Sequence, residues 1–282
     1  MTPSDPYGDG LVTRAAWQAV RGTPQYAELS AFSRDWFRQN RGGLRRYRKW
    51  TAGNPLENWS RSFEYPWTLR RIEEWVDASR VSRRVFDAGS GITFFPFYLA
   101  ERFGLDIQCL DADPAFGEFF ERAKTARGSV AFACAPLHDL ARFPDQSFDL
   151  GYCISVLEHV PPERWDVTIA ELHRVLIRGG RLLLTLDVSL DGMSSIARSD
   201  LPVLLEKLVR WFRHPASPAA GLLPQESAFG GLASTDWFRD ELPELLPWRV
   251  PFRQKFGLNR QLRPTRPDFA SLACLAVTLE KV

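Results

Sequence analysis

The chain has 282 residues, a formal net charge of +2 and 45% hydrophobic content, which is enough apolar material for a sizeable core. So small a charge excludes the strongly basic composition of a protein that holds nucleic acid by charge alone, and no run reaches the roughly 20 apolar residues of a membrane span. Cys109, Cys134, Cys153 and Cys274 stand singly in apolar runs without metal-ligand spacing, and the first residues lack a secretory pattern, so the expectation is a reduced, cytoplasmic protein.

Residues 1–80 are helical in pattern but interrupted at Gly42-Gly43, Asn54-Pro55 and Tyr65-Pro66. Within them, residues 34–49 carry Arg34, Arg38, Arg41, Arg45, Arg46, Arg48 and Lys49 against one acid, Asp35. Trp36, Trp50, Trp59 and Trp67 are interleaved with or follow this run. Two readings stand: a solvated basic helix whose tryptophans pack inward, or a lid whose cations and aromatics line a ligand cleft. Leu69, Ile72, Trp75 and Val76 have helical spacing and lead into the first strand at Val85.

Strands and helices then alternate. The first strand runs into the turn Gly89-Ser90-Gly91, and Pro96 opens an apolar helix. A second strand over 105–110 ends in Asp111, and Asp113-Pro114 caps a helix expected over 115–126. Strands follow over 130–134 and 148–155, then a helix over 163–176 that stops at Gly179-Gly180, then a strand over 181–188. This alternation predicts an α/β fold, a doubly wound parallel sheet with helices on both faces. A mostly helical insertion at about 189–247, with helices over 203–212 and 235–246, precedes a closing pair of strands over 249–256 and 271–280. The organisation expected is a helical segment over 1–80 and a main domain over 81–282 that contains the insertion.

The stretch Val85-Phe86-Asp87-Ala88-Gly89-Ser90-Gly91 concentrates the chemistry. A strand that ends in glycines and runs into a helix lets backbone approach a ligand and aims free N–H groups at it. Asp87 adds a carboxylate at the carboxyl end of the strand, where open α/β sheets bind ligands. Asp111 ends the next strand at the spacing where an acid meets ribose hydroxyls. Phe94 occupies the place of the third glycine of the dinucleotide fingerprint, which turns the reading from nicotinamide or flavin toward a different adenosyl ligand.

Four stretches together resemble the class I S-adenosylmethionine-dependent methyltransferases of the small-molecule branch. They are Asp87-Ala88-Gly89-Ser90-Gly91; Cys109-Leu110-Asp111-Ala112-Asp113-Pro114; Phe143-Pro144-Asp145-Gln146-Ser147-Phe148-Asp149-Leu150 with Ser155-Val156-Leu157-Glu158-His159-Val160; and Arg174-Val175-Leu176-Ile177-Arg178-Gly179-Gly180-Arg181-Leu182. They cover roughly residues 80–190, and the sequence departs from the pattern at Thr93. The resemblance implies a Rossmann-like seven-stranded, mostly parallel sheet whose last strand is antiparallel. It also implies S-adenosyl-L-methionine as cofactor and S-adenosyl-L-homocysteine as product.

Carried over, Asp87, Ala88, Gly89, Ser90 and Gly91 lie at the methionine end of the cofactor. Asp111 meets the ribose, Ala112 the adenine face, and Leu137, His138 and Asp139 the adenine edge, while Ile154 and Ser155 lie under the sulfonium.

Methyl transfer from a sulfonium is an in-line displacement, so alignment supplies much of the catalysis and no metal is required. His159, after the fourth strand, is the first candidate for a general base and Asp187, at the end of the fifth, the second. Glu158 reads as a helix-start charge. Arg45, Arg46, Trp59 and Trp67 are the candidates for binding an acceptor, with the arginines suited to an anionic group. The expected activity is methyl transfer to an oxygen or nitrogen of a small molecule by a monomer or homodimer. An RNA or protein methyltransferase, a cofactor-binding partner subunit without chemistry, and the same fold turned to cyclisation or decarboxylation stay open beside it.

Overall fold

The computed structural model describes residues 6–12, 14–44, 47, 54–57, 60–78, 84–123, 125–189, 196–197, 200–213, 249–251 and 269–282. The expected helix over 235–246 lies outside them. The segment before the sheet forms strand β1 (Gly10–Leu11) and helices α1 (Arg14–Arg21), α2 (Pro24–Leu44) and α3 (Arg61–Ala78). Two expected breaks are absent. Helix α2 runs through Gly42-Gly43, and α3 runs through Pro66, whose missing N–H leaves one bond of the helix unmade.

The alternating region gives β2 (Arg84–Ala88), α4 (Phe95–Phe103), β3 (Asp106–Asp111), α5 (Gly117–Arg122), β4 (Ser129–Cys134), β5 (Phe148–Ile154), α6 (Trp165–Val175) and β6 (Leu176–Ser189). After it come β7 (Ile196–Ala197), α7 (Leu201–Val209), β8 (Phe212–Arg213), β9 (Arg249–Pro251) and β10 (Phe269–Lys281).

The central path of the sheet is β1-β10-β6-β5-β2-β3-β4, with β7, β8 and β9 pairing at its margin. β2 pairs β3 and β5, β3 pairs β4, and β5 pairs β6, all parallel; β10 is antiparallel to β6. This is the doubly wound sheet that the alternation predicts, and its seven-strand, mixed path with an antiparallel strand is what the resemblance implies. The edge beyond β10 is filled by β1, from a segment whose pattern reads as helix alone.

Other differences are local. The helix expected over 115–126 is a 3-10 turn at Pro114–Phe116 followed by the shorter α5, which stops where Ala123 turns extended. Helix α6 ends at Val175, and Gly179-Gly180 fall inside β6. Gly179 has φ +73°, and the β5–β6 register shifts between Phe148 and Leu150, so the glycines form a bulge in the strand instead of a stop to the helix.

Residues of alternating parity along the strands bury two cores. Val85, Ile107, Leu150, Tyr152 and Leu183 pack under α1 to α5, and Phe86, Leu110, Cys153, Leu184 and Leu186 pack under α6 and α7. Asp87, Thr185 and Asp187 share the parity of Val85 and Leu183, which places them at the carboxyl edge on the side of α3. No helix among the described residues is long and apolar enough to cross a membrane.

Candidate functional site

The turn after β2 is pinned to the end of β3. The Gly89 and Ser90 N–H groups both donate to the Leu110 carbonyl, at 2.8 and 2.9 Å. One Asp111 oxygen accepts from the Gly91 N–H at 2.9 Å and the other from the Asp113 N–H at 3.0 Å. Gly89, Ser90, Gly91 and Asp111 thus form one hydrogen-bonded unit.

Both glycines need their left-handed backbone, φ +73° at Gly89 and +52° at Gly91. A Cβ on Gly89 would stand 2.4 Å from the Val156 side chain, whereas one on Gly91 would meet nothing within 4 Å. The turn is therefore closed on the side of β5 and open at Gly91. Asp87 is only 5% exposed, and burial raises its carboxyl to about 8, against the pull of the Tyr152 hydroxyl and with help from Asp111.

A second unit lies at the ends of β5 and β6. Ser155 follows β5 with φ +48°, left-handed for a residue with a Cβ, and its N–H donates to the Thr185 carbonyl at 3.0 Å. Its hydroxyl donates to Glu64 of α3, which also accepts from the Thr185 hydroxyl at 2.9 Å and pairs with Arg61. Glu64 is fully buried. Arg61 stays protonated despite the burial that opposes its charge, because Glu64, Tyr65 and Asp187 surround it.

Glu158 is buried as well, and its Oε1 accepts the Asp187 N–H at 2.9 Å. Burial first, and then Asp187, push its carboxyl up to about 8. Glu158 does stand at a helix start, the first turn of the 3-10 helix Leu157–His159, but it is buried there against β6 instead of facing solvent. His159 closes that turn, exposed, its N–H donating to the Val156 carbonyl at 2.8 Å.

The Ala135 N–H donates to the Asp111 carbonyl at 2.8 Å and so joins the end of β4 to the end of β3. Ala112 and Asp139 are exposed, and Leu137, 8% exposed, belongs to the core under α6. The His138 ring lies 2.8 Å from Arg164 Nη1. Ile154 is buried at the end of β5.

Of the acceptor candidates, Arg45, Arg46 and Trp59 lie outside the described residues. Trp67 is a correction: it is fully buried in the core with the Arg71 guanidinium 5.6 Å from its ring, because α3 turns that face onto the sheet. Arg34, Arg38 and Arg41 are exposed on α2 while Trp36 is buried, so for that part of the run the solvated reading holds. Sequence reasoning missed Glu64 and Arg61; their i,i+3 spacing was the signal, one shared with any surface ion pair.

The paired units lie at the carboxyl edge of an open α/β sheet, the edge at which such sheets bind their ligands. Residues 86–184 match the family model described as "Methyltransferase domain". That stretch, which holds the glycine turn, β3 and β5, is thus similar to a methyltransferase domain.

Among solved structures, it is similar to the Burkholderia thailandensis 1,6-didemethyltoxoflavin-N1-methyltransferase with bound 1,6-didemethyltoxoflavin and S-adenosylhomocysteine, at 17% identity, over 92% of this chain and 91% of that one, TM-score 0.45. It is also similar to a putative sarcosine dimethylglycine methyltransferase from Galdieria sulphuraria, at 18% identity over 75% and 86%, TM-score 0.40. A third is the [4+2]-cyclase SpnF, at 18% identity over 75% and 80%, TM-score 0.43. No curated protein matches the chain.

Proposed function

We propose that this protein transfers the methyl group of S-adenosylmethionine to an oxygen or nitrogen of a small-molecule acceptor. The observation that carries the reading is the unit in which Asp111 organises the glycine turn while the buried Asp87 stands beside it. Its residues fit the cofactor. The space over Gly91 admits a ligand against bare backbone, Asp111 beside it is the acid this reading gives to the ribose hydroxyls, and a carboxylate at Asp87 gains a partner in the ligand's ammonium. Ser155 and Ile154 lie across the turn at the end of β5, where the reading puts the transferred methyl. The cofactor brings an activated electrophile; the chain binds it, aligns the acceptor and takes up the acceptor's proton.

His159, exposed at this edge, and Asp187, beside Glu158, are the groups we assign to that proton transfer. For an anionic group on the acceptor, Arg45 and Arg46 remain the assigned cations. Calorimetry with S-adenosylhomocysteine tests the cofactor site. The wild type should bind, and Asp111→Ala should bind more weakly by roughly 1–3 kcal/mol, as for a lost charge-assisted contact. Equal affinity in a folded variant would remove Asp111 from the site. Acceptors are then sought by incubating metabolite fractions with methyl-labelled cofactor, and label appearing only in polymeric RNA or protein would overturn the small-molecule reading.

A further inference from the structure

Glu64 is a carboxylate with no exposure, set in the first turn of a helix that packs on the sheet from outside the alternating region. Burying a charge is expensive unless it is paired and hydrogen-bonded, and Glu64 is both, through Arg61, Ser155 and Thr185. Such an arrangement is nonetheless weak evidence for stability, because apolar residues of similar volume hold a helix to a sheet at least as well. What it supplies is a fixed geometry.

The residue it fixes is Ser155, which keeps a left-handed backbone although its Cβ disfavours it. Two bonds hold that conformation, the hydroxyl to Glu64 and the N–H to the Thr185 carbonyl, and Thr185 is tied to Glu64 as well. The next residue, Val156, fills the space where a Cβ of Gly89 would stand. A continuous line of contact therefore runs from α3 through Ser155 and Val156 to the glycine turn.

We propose that Glu64 is a positioning residue of the cofactor site, holding Ser155 in its left-handed conformation and, through Val156, seating the glycine turn at Gly89. The proposal rests on the reading of that turn as the S-adenosyl site. It makes α3 a working part of the site although none of its residues belongs to the glycine turn.

The test is calorimetry with S-adenosylhomocysteine on the wild type, Glu64→Gln, Ser155→Gly and the double variant, each with a thermal melt. Glycine adopts the left-handed backbone unaided, so Ser155→Gly serves, whatever its own affinity, as the background in which the carboxylate has no conformation left to hold. Glu64→Gln should bind about 10-fold more weakly or worse in folded protein. In the Ser155→Gly background the same substitution should cost much less, because the conformation no longer needs the carboxylate. A purely structural role would lower the melting temperature and leave the affinity of the folded protein unmoved, and that result overturns the proposal. So does an equal loss in both backgrounds. If Glu64→Gln does not fold, Ser155→Ala removes the bond from the other end while keeping the strain. It should bind more weakly than Ser155→Gly, and equal binding by the two overturns the proposal. A wild type that fails to bind rejects the site reading itself, and the proposal with it.

Discussion

Burial raises the Asp87 carboxyl from its ordinary 3.8 to about 8, so between those values the folded protein holds a proton that the unfolded chain releases. Stability from this group is therefore present on the acid side and is lost as pH rises toward about 8. Glu158, raised to about 8 by burial and by Asp187, acts in the same direction. Asp87→Asn should melt higher than the wild type at about pH 8, with the gap closing toward about pH 4. Melts of both proteins across that range check it; a gap that does not change with pH would show that Asp87 keeps an ordinary acidity in the fold. The same substitution should weaken S-adenosylhomocysteine binding, since the amide offers the ligand's ammonium no charge. Stability and binding would then move in opposite directions at one position, as expected where a site keeps a costly group for use.

The glycine turn and the start of β6 behave as elements, each set by a contact on one side. At Gly89 an alanine meets both the left-handed backbone and Val156, at Gly91 the backbone alone. Gly89→Ala should therefore cost roughly 2–6 kcal/mol, the backbone and overpacking penalties together, and Gly91→Ala roughly 1–3 kcal/mol. Chemical denaturation of the two variants checks the order, and a more stable Gly89→Ala would mean that Val156 gives way. This strand-turn-helix was legible in the sequence because glycine, acid and apolar run coincide within a few residues. So was the alternation that makes the sheet parallel. Glu64 was not, since a glutamate beside an arginine on a helix has the same local pattern whether it faces water or a buried serine. Glu158 escaped for a related reason: its burial depends on β6, far along the chain. Gly179-Gly180 read as a helix stop because a bulge and a C-cap ask the same left-handed freedom of glycine.

Across the whole molecule, the sheet is closed by strands from opposite parts of the chain. β10 pairs with β6 over a long register and accepts β1 on its other side, and the Val12 N–H donates to the Cys274 carbonyl at 2.9 Å. Asp9 fastens the junction, accepting from the Thr278 N–H at 2.7 Å and from Arg71 of α3 at 3.1 Å. During synthesis the Val12 segment leaves the ribosome early, yet its place does not exist until Cys274 has followed. The parallel strands β2 to β6 can assemble while one flank stays open, a templating edge that invites intermolecular pairing until β10 covers it. The order of closure can be read as a clock. In pulse-labelled exchange during refolding, the Val12 amide should gain protection no sooner than the amides of β10, and after those of β2 and β3. Early protection of Val12 would mean that β1 finds a partner elsewhere first. If the order holds, the protein's exposure to misassembly ends only with its final strand.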